Sequence, residues 1–189
     1  MYDRDFHISI ENEETPQAVR LASYIKTYIT PSCFLDFGCS TGIYLNEVKK
    51  CMPNTISRGF EFSKEAVDHA VCADVIEYDL TKQLITYRHP NTLGLCLEVL
   101  EHIEDVNWRS VLENMTRYCD KLIFSAAVPG QGGTGHINCR PKIDWIKRFH
   151  ELGWVVDLDA TNHLLNYMKQ GYHMGWFANN AMVLIPYAN

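Results

Sequence analysis

Apolar residues follow two rhythms along this chain, and the switches between them mark out its elements. From Thr15 to Ile29 the apolar residues Val19, Ala22, Ile25 and Ile29 recur at helical spacing. Thr15 can cap that helix, Pro16 suits its first turn, and Pro31 ends it. The run Cys33–Phe37 is short and nearly all apolar, as in a strand buried on both faces. Helical spacing resumes over 41–52. A strand is predicted over 55–62, a short helix over 63–71 capped by Ser63, and a shorter strand over 74–80. The stretch beginning at Thr92 reads as a strand through Leu97 and then turns. Helix 106–119, strand 121–128, helix 142–153 with Gly153 closing it, and strands 154–159 and 181–187 complete the series.

Two segments keep neither rhythm. Residues 129–141 form a glycine-rich loop, read as a lid with hinge-like freedom over a site. Residues 160–180 are too long for a hairpin turn and too aromatic for a linker, and read as an insertion that binds an acceptor. Strands alternating with helices predict a single α/β domain over 1–189, opened by a helical segment over 1–31. Its sheet is mostly parallel, with helices on both faces. Ligands on such sheets bind at the carboxyl ends of the strands, where the strand order reverses.

Composition narrows the function classes. The length of 189 residues suits one core rather than two large ones. The net charge of -6 argues against a nucleic-acid backbone as the main partner. Arg140, Lys142, Lys147 and Arg148 form the one basic cluster, read as a solvated helix face. Seven cysteines, odd in number and widely spaced without a C-x-x-C pair, signal neither a disulfide framework nor a zinc site, so no metal is expected. They suit a reducing compartment, and with the polar, acidic first residues they give the expectation of a cytoplasmic protein. No apolar run reaches the ~20 residues of a membrane helix.

The chemistry concentrates at predicted strand ends. The first strand runs through Asp36 into Gly38-Cys39-Ser40-Thr41-Gly42, a turn of small residues ahead of a helix. Glycines there permit a tight turn and close backbone approach, and the helix N-terminus favours a carboxylate or phosphate. The P-loop ending Gly-Lys-Ser/Thr is absent. Glu61 closes the second strand, nineteen positions after Gly42, where a carboxylate can accept from both hydroxyls of a ribose. Asp79 can accept from an adenine amino group or can cap the segment after it, and Leu80 can pack on the ring.

In combination, LDFGCSTG, FEFS, YDL and LCLEVLEHI resemble the S-adenosylmethionine-dependent methyltransferases of the Rossmann-like class, from Cys33 to about Phe124. The resemblance implies a seven-stranded, mostly parallel sheet with an antiparallel last strand. It implies S-adenosyl-L-methionine as cofactor. Asp36, Gly38, Cys39, Ser40 and Gly42 would line its methionine and ribose side, with Leu97 and Glu98 flanking the methionine. Glu61 would hold the ribose hydroxyls, Phe62 would lie beside the adenine, and Asp79 and Leu80 would contact it. Ser40 departs from the family pattern, which has glycine there. The expected function is methyl transfer to a small-molecule or sugar-like acceptor, at oxygen. A protein or nitrogen methyltransferase, a silent cofactor-binding regulator and a non-methylating enzyme stand as alternatives, because the motifs report only the cofactor.

Two histidines are candidate bases. His102 either serves catalysis or orients the turn after the fourth strand; His136, in the glycine-rich loop, either acts as base or is a surface residue. Asn138, Tyr167, Tyr172 and His173 are the candidate acceptor-binding residues, offering polar tips and flat faces. Trp145, Phe149, Trp176 and Phe177 read as core.

Overall fold

The structure is a computed structural model that describes the backbone of residues 4–84 and 87–187, with side chains from Glu13 onward. Seven strands form one sheet: β1 (Cys33–Phe37), β2 (Ile56–Glu61), β3 (Val75–Glu77), β4 (Thr92–Leu97), β5 (Lys121–Ser125), β6 (Trp154–Val156) and β7 (Met182–Pro186). Their order is β3-β2-β1-β4-β5-β7-β6. β1 pairs in parallel with β2 and with β4, and all five of its residues are buried. β7 runs antiparallel to both neighbours, β5 and β6. The chain winds outward from β1 to β3 and then restarts at β4, so the order reverses between β1 and β4. That reversal leaves a crevice at the carboxyl ends of the two strands.

Helices α1 (Arg4–Tyr28), α2 (Ile43–Cys51) and α6 (Leu158–Lys169) cover one face of the sheet, around Phe34, Leu95, Ile123 and Val183. Helices α4 (Trp108–Tyr118) and α5 (Lys142–Glu151) cover the other, around Phe37, Cys96, Phe124 and Leu184. Trp145, Phe149 and Phe177 are buried, and Trp176 packs at the edge of the core. Short helices α3 (Lys64–Asp68) and α7 (Gly175–Asn180) complete the fold, with Ser63 capping α3 through the Ala66 N–H.

Three sequence expectations change. α1 begins eleven residues before Thr15, so Pro16 lies within the helix on an exposed side rather than in a first turn. A proline there forgoes one backbone hydrogen bond, and packing against α2 and α6 carries the helix through it. The buried stripe of α1 is Ala18, Leu21, Ala22 and Ile25, while Val19 is exposed.

Residues 160–180, read as an acceptor-binding insertion, fold as most of α6 and all of α7, packed against the sheet. Asp157 caps α6 by accepting from the Ala160 N–H at 2.9 Å, and Thr161, Leu164 and Met168 face the core. The Thr161 hydroxyl oxygen accepts from the Val183 N–H at 2.9 Å, fixing α6 against β7. The basic cluster is not a solvated face either. Arg140 and Arg148 each meet Asp105 at 2.7 Å, and Arg148 lies over the Trp108 ring at 4.7 Å. Lys142 donates to the Ala181 carbonyl at 3.0 Å, and burial lowers its pKa. Lys147 stays exposed.

Candidate functional site

A cavity of about 790 Å³ opens at the carboxyl ends of β1, β2 and β4. Its size is that of a pocket for a cofactor-sized ligand. The first loop enters it through a sharp turn. Gly38 takes φ +76°, and a Cβ there would stand 2.4 Å from a Val99 methyl. Its N–H donates to the Phe60 carbonyl at 2.8 Å, folding the loop back onto β2. Gly42 (φ +84°) does not line the cavity. It lets α2 start close to β3, where a Cβ would meet Val75 at 2.5 Å. Every other residue expected at the cofactor lines the cavity: Asp36, Gly38, Cys39 and Ser40 on the first loop, Glu61 and Phe62 after β2, Asp79 and Leu80 after β3, Leu97 and Glu98 after β4.

Glu61 joins two loops. One oxygen accepts from the Ser40 N–H at 2.8 Å, the other from the Ser63 N–H at 2.7 Å. A carboxylate has about four acceptor directions, so each oxygen keeps one toward the cavity. Ser40 makes its bond from a left-handed conformation, φ +49°, where the family pattern places glycine. Asp79 accepts from the N–H and the hydroxyl of Thr81, which lowers its pKa. It thus closes a local turn and lines the cavity as well.

Six acidic residues line the cavity, Glu14, Asp36, Glu61, Asp79, Glu98 and Glu104, and among the described residues no lysine or arginine lines it. Asp36 is 3% exposed, and one of its oxygens has no hydrogen-bond partner among the described residues. Burial, then Glu61 and Glu14, push its pKa well above the usual carboxylate range. Burial lifts Glu14 to about 7, with Glu98 and Glu13 adding to it and a hydrogen bond with Tyr44 opposing it. Glu98 is left-handed, φ +54°, and accepts from Gln131 at 2.5 Å and from Asn180 at 3.3 Å. A space with this lining attracts a cation.

Sequence reasoning missed Glu14, Tyr44, Gln131 and Asn180. The signal for Glu14 was its place on the apolar stripe of α1, one turn before Ala18. A carboxylate on a buried stripe needs a reason.

Both candidate bases line the cavity mouth. The His102 and His136 rings meet edge to face at 4.9 Å between centroids. His102 Nδ1 lies 3.2 Å from the Gly135 carbonyl, and His136 Nε2 lies 3.9 Å from Glu101, a fully buried carboxyl. Burial raises Glu101 to about 8, and Glu98 adds to the effect. Gly133 and Thr134 of the glycine-rich loop also line the mouth.

The four candidate acceptor-binding residues lie outside the cavity. Asn138 is buried and donates to the Leu100 and Ile103 carbonyls, pinning the loop to the turn after β4. Tyr167 packs beneath α1, with Arg20 4.5 Å over its ring and its hydroxyl on Ser23. Tyr172 is exposed, and His173 turns back to the Gly171 carbonyl at 3.1 Å.

No protein-family model matches the chain, and no curated protein sequence matches it. Solved structures do. DesVI from Streptomyces venezuelae matches with a TM-score of 0.72 at 12% identity, over 97% of this chain and 98% of that one. Magnesium protoporphyrin IX methyltransferase (ChlM) from Synechocystis PCC 6803, with bound SAM, matches with a TM-score of 0.61 at 16% identity, over 94% and 79%. An amino pentose methyltransferase from Micromonospora echinaspora, also with SAM bound, matches with a TM-score of 0.64 at 12% identity, over 90% of each chain. Strand order, the antiparallel β7 and these matches together make the fold that of the Rossmann-like, class I methyltransferases.

Proposed function

We propose that the protein is an S-adenosylmethionine-dependent methyltransferase acting at oxygen on a small-molecule or sugar-like acceptor. The observation that carries this reading is the buried Asp36 oxygen, without a partner among the described residues, in an acidic cavity at the strand reversal. A buried carboxyl left without a partner costs about 1–3 kcal/mol, which a hydrogen-bonding, positively charged ligand would offset. S-adenosylmethionine carries both an ammonium and a sulfonium.

The residues fit that group. Asp36, Gly38, Cys39, Leu97 and Glu98 would hold its amino-acid and sulfonium side. Glu61 has the acceptor directions for two ribose hydroxyls, and Phe62, Asp79 and Leu80 lie where an adenine would rest. When bound, the cofactor supplies a methyl group on a good leaving group. The chain's own work is alignment, worth up to ~7–11 kcal/mol of effective concentration. The mouth between His102, His136, Gly133 and Thr134 is where an acceptor enters, covered by residues 129–141, which Ile137 and Asn138 tie to Glu101. Neighbours of this fold include methyltransferases for a porphyrin and for an amino pentose, which supports a small acceptor of either kind.

Thermal unfolding with S-adenosylmethionine, S-adenosylhomocysteine and NAD tests the cofactor. A ligand at a hundred times its Kd adds about 2.7 kcal/mol, or roughly 5–11 °C at this length. Shifts with the first two and none with NAD support the reading. No shift with either would mean that the first loop, with Ser40 left-handed, does not take the ligand, and would sink it.

A further inference from the structure

At the cavity mouth, two segments far apart in sequence bring together one atom each of Glu101, His102 and His136, all within 4.8 Å of one another. We propose that these three side chains are the protein ligands of a divalent transition-metal ion whose remaining coordination positions face the cavity.

The first argument is the state of Glu101. It is fully buried, and among the described residues neither of its side-chain oxygens makes a hydrogen bond of normal geometry. The Glu98 carboxyl adds like charge beside it, and the His136 ring stands 3.9 Å away. A second argument is that the arrangement is built and does not rest on loose side chains. The Ile137 and Asn138 N–H groups both donate to the Glu101 main-chain carbonyl, at 2.8 and 3.0 Å. These bonds fix the loop bearing His136 against the residue bearing the carboxyl. Asn138 adds its bonds to Leu100 and Ile103, which flank Glu101 and His102.

The imidazoles are oriented as metal ligands are. A carbonyl only accepts, so His102 Nδ1 carries the proton toward Gly135, and its lone pair is on Nε2. His136 turns its Nδ1 edge to Cys139 Sγ at 3.6 Å, leaving Nε2 on the side of Glu101. The loop leaves room for this, because a Cβ on Gly133 would strike the His136 ring at 2.2 Å. Metal–ligand bonds are about 2.0–2.2 Å, so closing around an ion needs only small rotations of the three side chains.

Two imidazoles and a carboxylate suit Mn²⁺, Fe²⁺, Co²⁺ or Zn²⁺ better than Mg²⁺ or Ca²⁺, which take mostly oxygen ligands. Three protein ligands leave positions open. Because His102 and His136 line the cavity, those positions point toward an entering acceptor. An oxygen ligand would complete the coordination, and a sugar or phenol hydroxyl bound there would be made more acidic. The metal site stands on its own; its service to an acceptor rests on the methyltransferase reading. On this assignment His102 and His136 act as metal ligands rather than as bases.

The test is titration of the metal-stripped chain, without cofactor, by MnCl₂, CoCl₂ and MgCl₂, followed by calorimetry and by the visible absorption of bound Co²⁺. Wild type should take up one Mn²⁺ or Co²⁺ per chain and bind Mg²⁺ much more weakly. Glu101→Gln and His136→Gln should each weaken uptake by about 100-fold or more, since even residues that only orient metal ligands are worth ~10–100-fold. His150→Gln should change nothing, because that ring packs on Tyr187 away from the cavity. Thermal unfolding with S-adenosylmethionine checks that each variant is folded. The absence of one-to-one uptake, or uptake indifferent to both substitutions, overturns the site. Cofactor binding without metal uptake would overturn the metal site alone. Metal uptake without cofactor binding would support the site and sink the methyltransferase reading.

Discussion

Glu14→Gln separates the electrostatic cost of the cavity from everything else in the fold. Glu14 is mostly buried, and its pKa rises from 4.5 to about 7 because burial disfavours its charge and Glu98 and Glu13 repel it. Below pH 4.5 the carboxyl is protonated in the folded and unfolded chain alike and costs nothing. Between 4.5 and 7 the unfolded chain releases its proton while the folded one keeps it, so stability falls as pH rises. Above 7 both are ionised and the penalty is constant, at roughly 3 kcal/mol. Glutamine does not titrate, and its carbonyl oxygen can still accept from the Tyr44 hydroxyl, which itself accepts from Gln17 at 2.7 Å. The stability difference between variant and wild type should therefore grow by about 3 kcal/mol in favour of the variant between pH 4.5 and 8. In urea that moves the relative midpoint by about 1–2 M. Glu101 titrates alike in both proteins, and Asp36, relieved of the Glu14 charge in the variant, adds to the difference in the same direction. Parallel pH profiles for the two proteins would refute the argument.

Three further substitutions probe the same crevice. Glu61→Gln keeps one acceptor but turns an amide toward a backbone N–H, so the unliganded protein should lose about 2 kcal/mol in urea unfolding. A change below ~0.5 kcal/mol would mean that Glu61 does not hold the two loops together. Asp36→Asn removes a buried carboxyl held well above its usual pKa, so the unliganded protein should gain stability at pH 8. It should also lose discrimination between S-adenosylmethionine and the uncharged-sulfur product in calorimetry; an unchanged affinity ratio would remove Asp36 from the cation argument. Gly42→Ala forces a Cβ into a left-handed position 2.5 Å from Val75 and should cost about 2–4 kcal/mol. An unchanged melting temperature would show that the turn before α2 is not constrained as described.

The sheet was legible because each of its strands is bounded by a helix with its own period or by a turn residue. The Asp36–Gly42 loop, Glu61 and the Glu98–His102 turn were legible because each lies next to a strand end. Contacts between distant segments were not. Nothing near Asn180 in the chain says that it reaches Glu98, or near His136 that it meets Glu101. The aromatic character of 160–180 pointed to a binding surface, yet Tyr167 and Phe177 are packed where α6 and α7 cover the sheet. Local composition does not tell a buried aromatic from one that grips a ligand. Arg148 looked solvated for the same reason, since Asp105 and Trp108 lie forty residues away.

Ser40 and Glu98 hold left-handed backbone without being glycine, and each sits where a strand end opens into the cavity. Such a conformation costs about 1–2 kcal/mol per residue and persists only where surrounding bonds over-determine it. Those bonds are present: Ser40 is tied to Glu61, and Glu98 is tied to Gln131 and Asn180. The same residues carry or contact the carboxyls that repel one another across the cavity. Strain and repulsion thus fall on one set of side chains, and a positively charged ligand would relieve the repulsion while using the geometry that the strain maintains. The unliganded site is destabilised where binding would recover free energy, which is the arrangement of a pocket shaped for a cation.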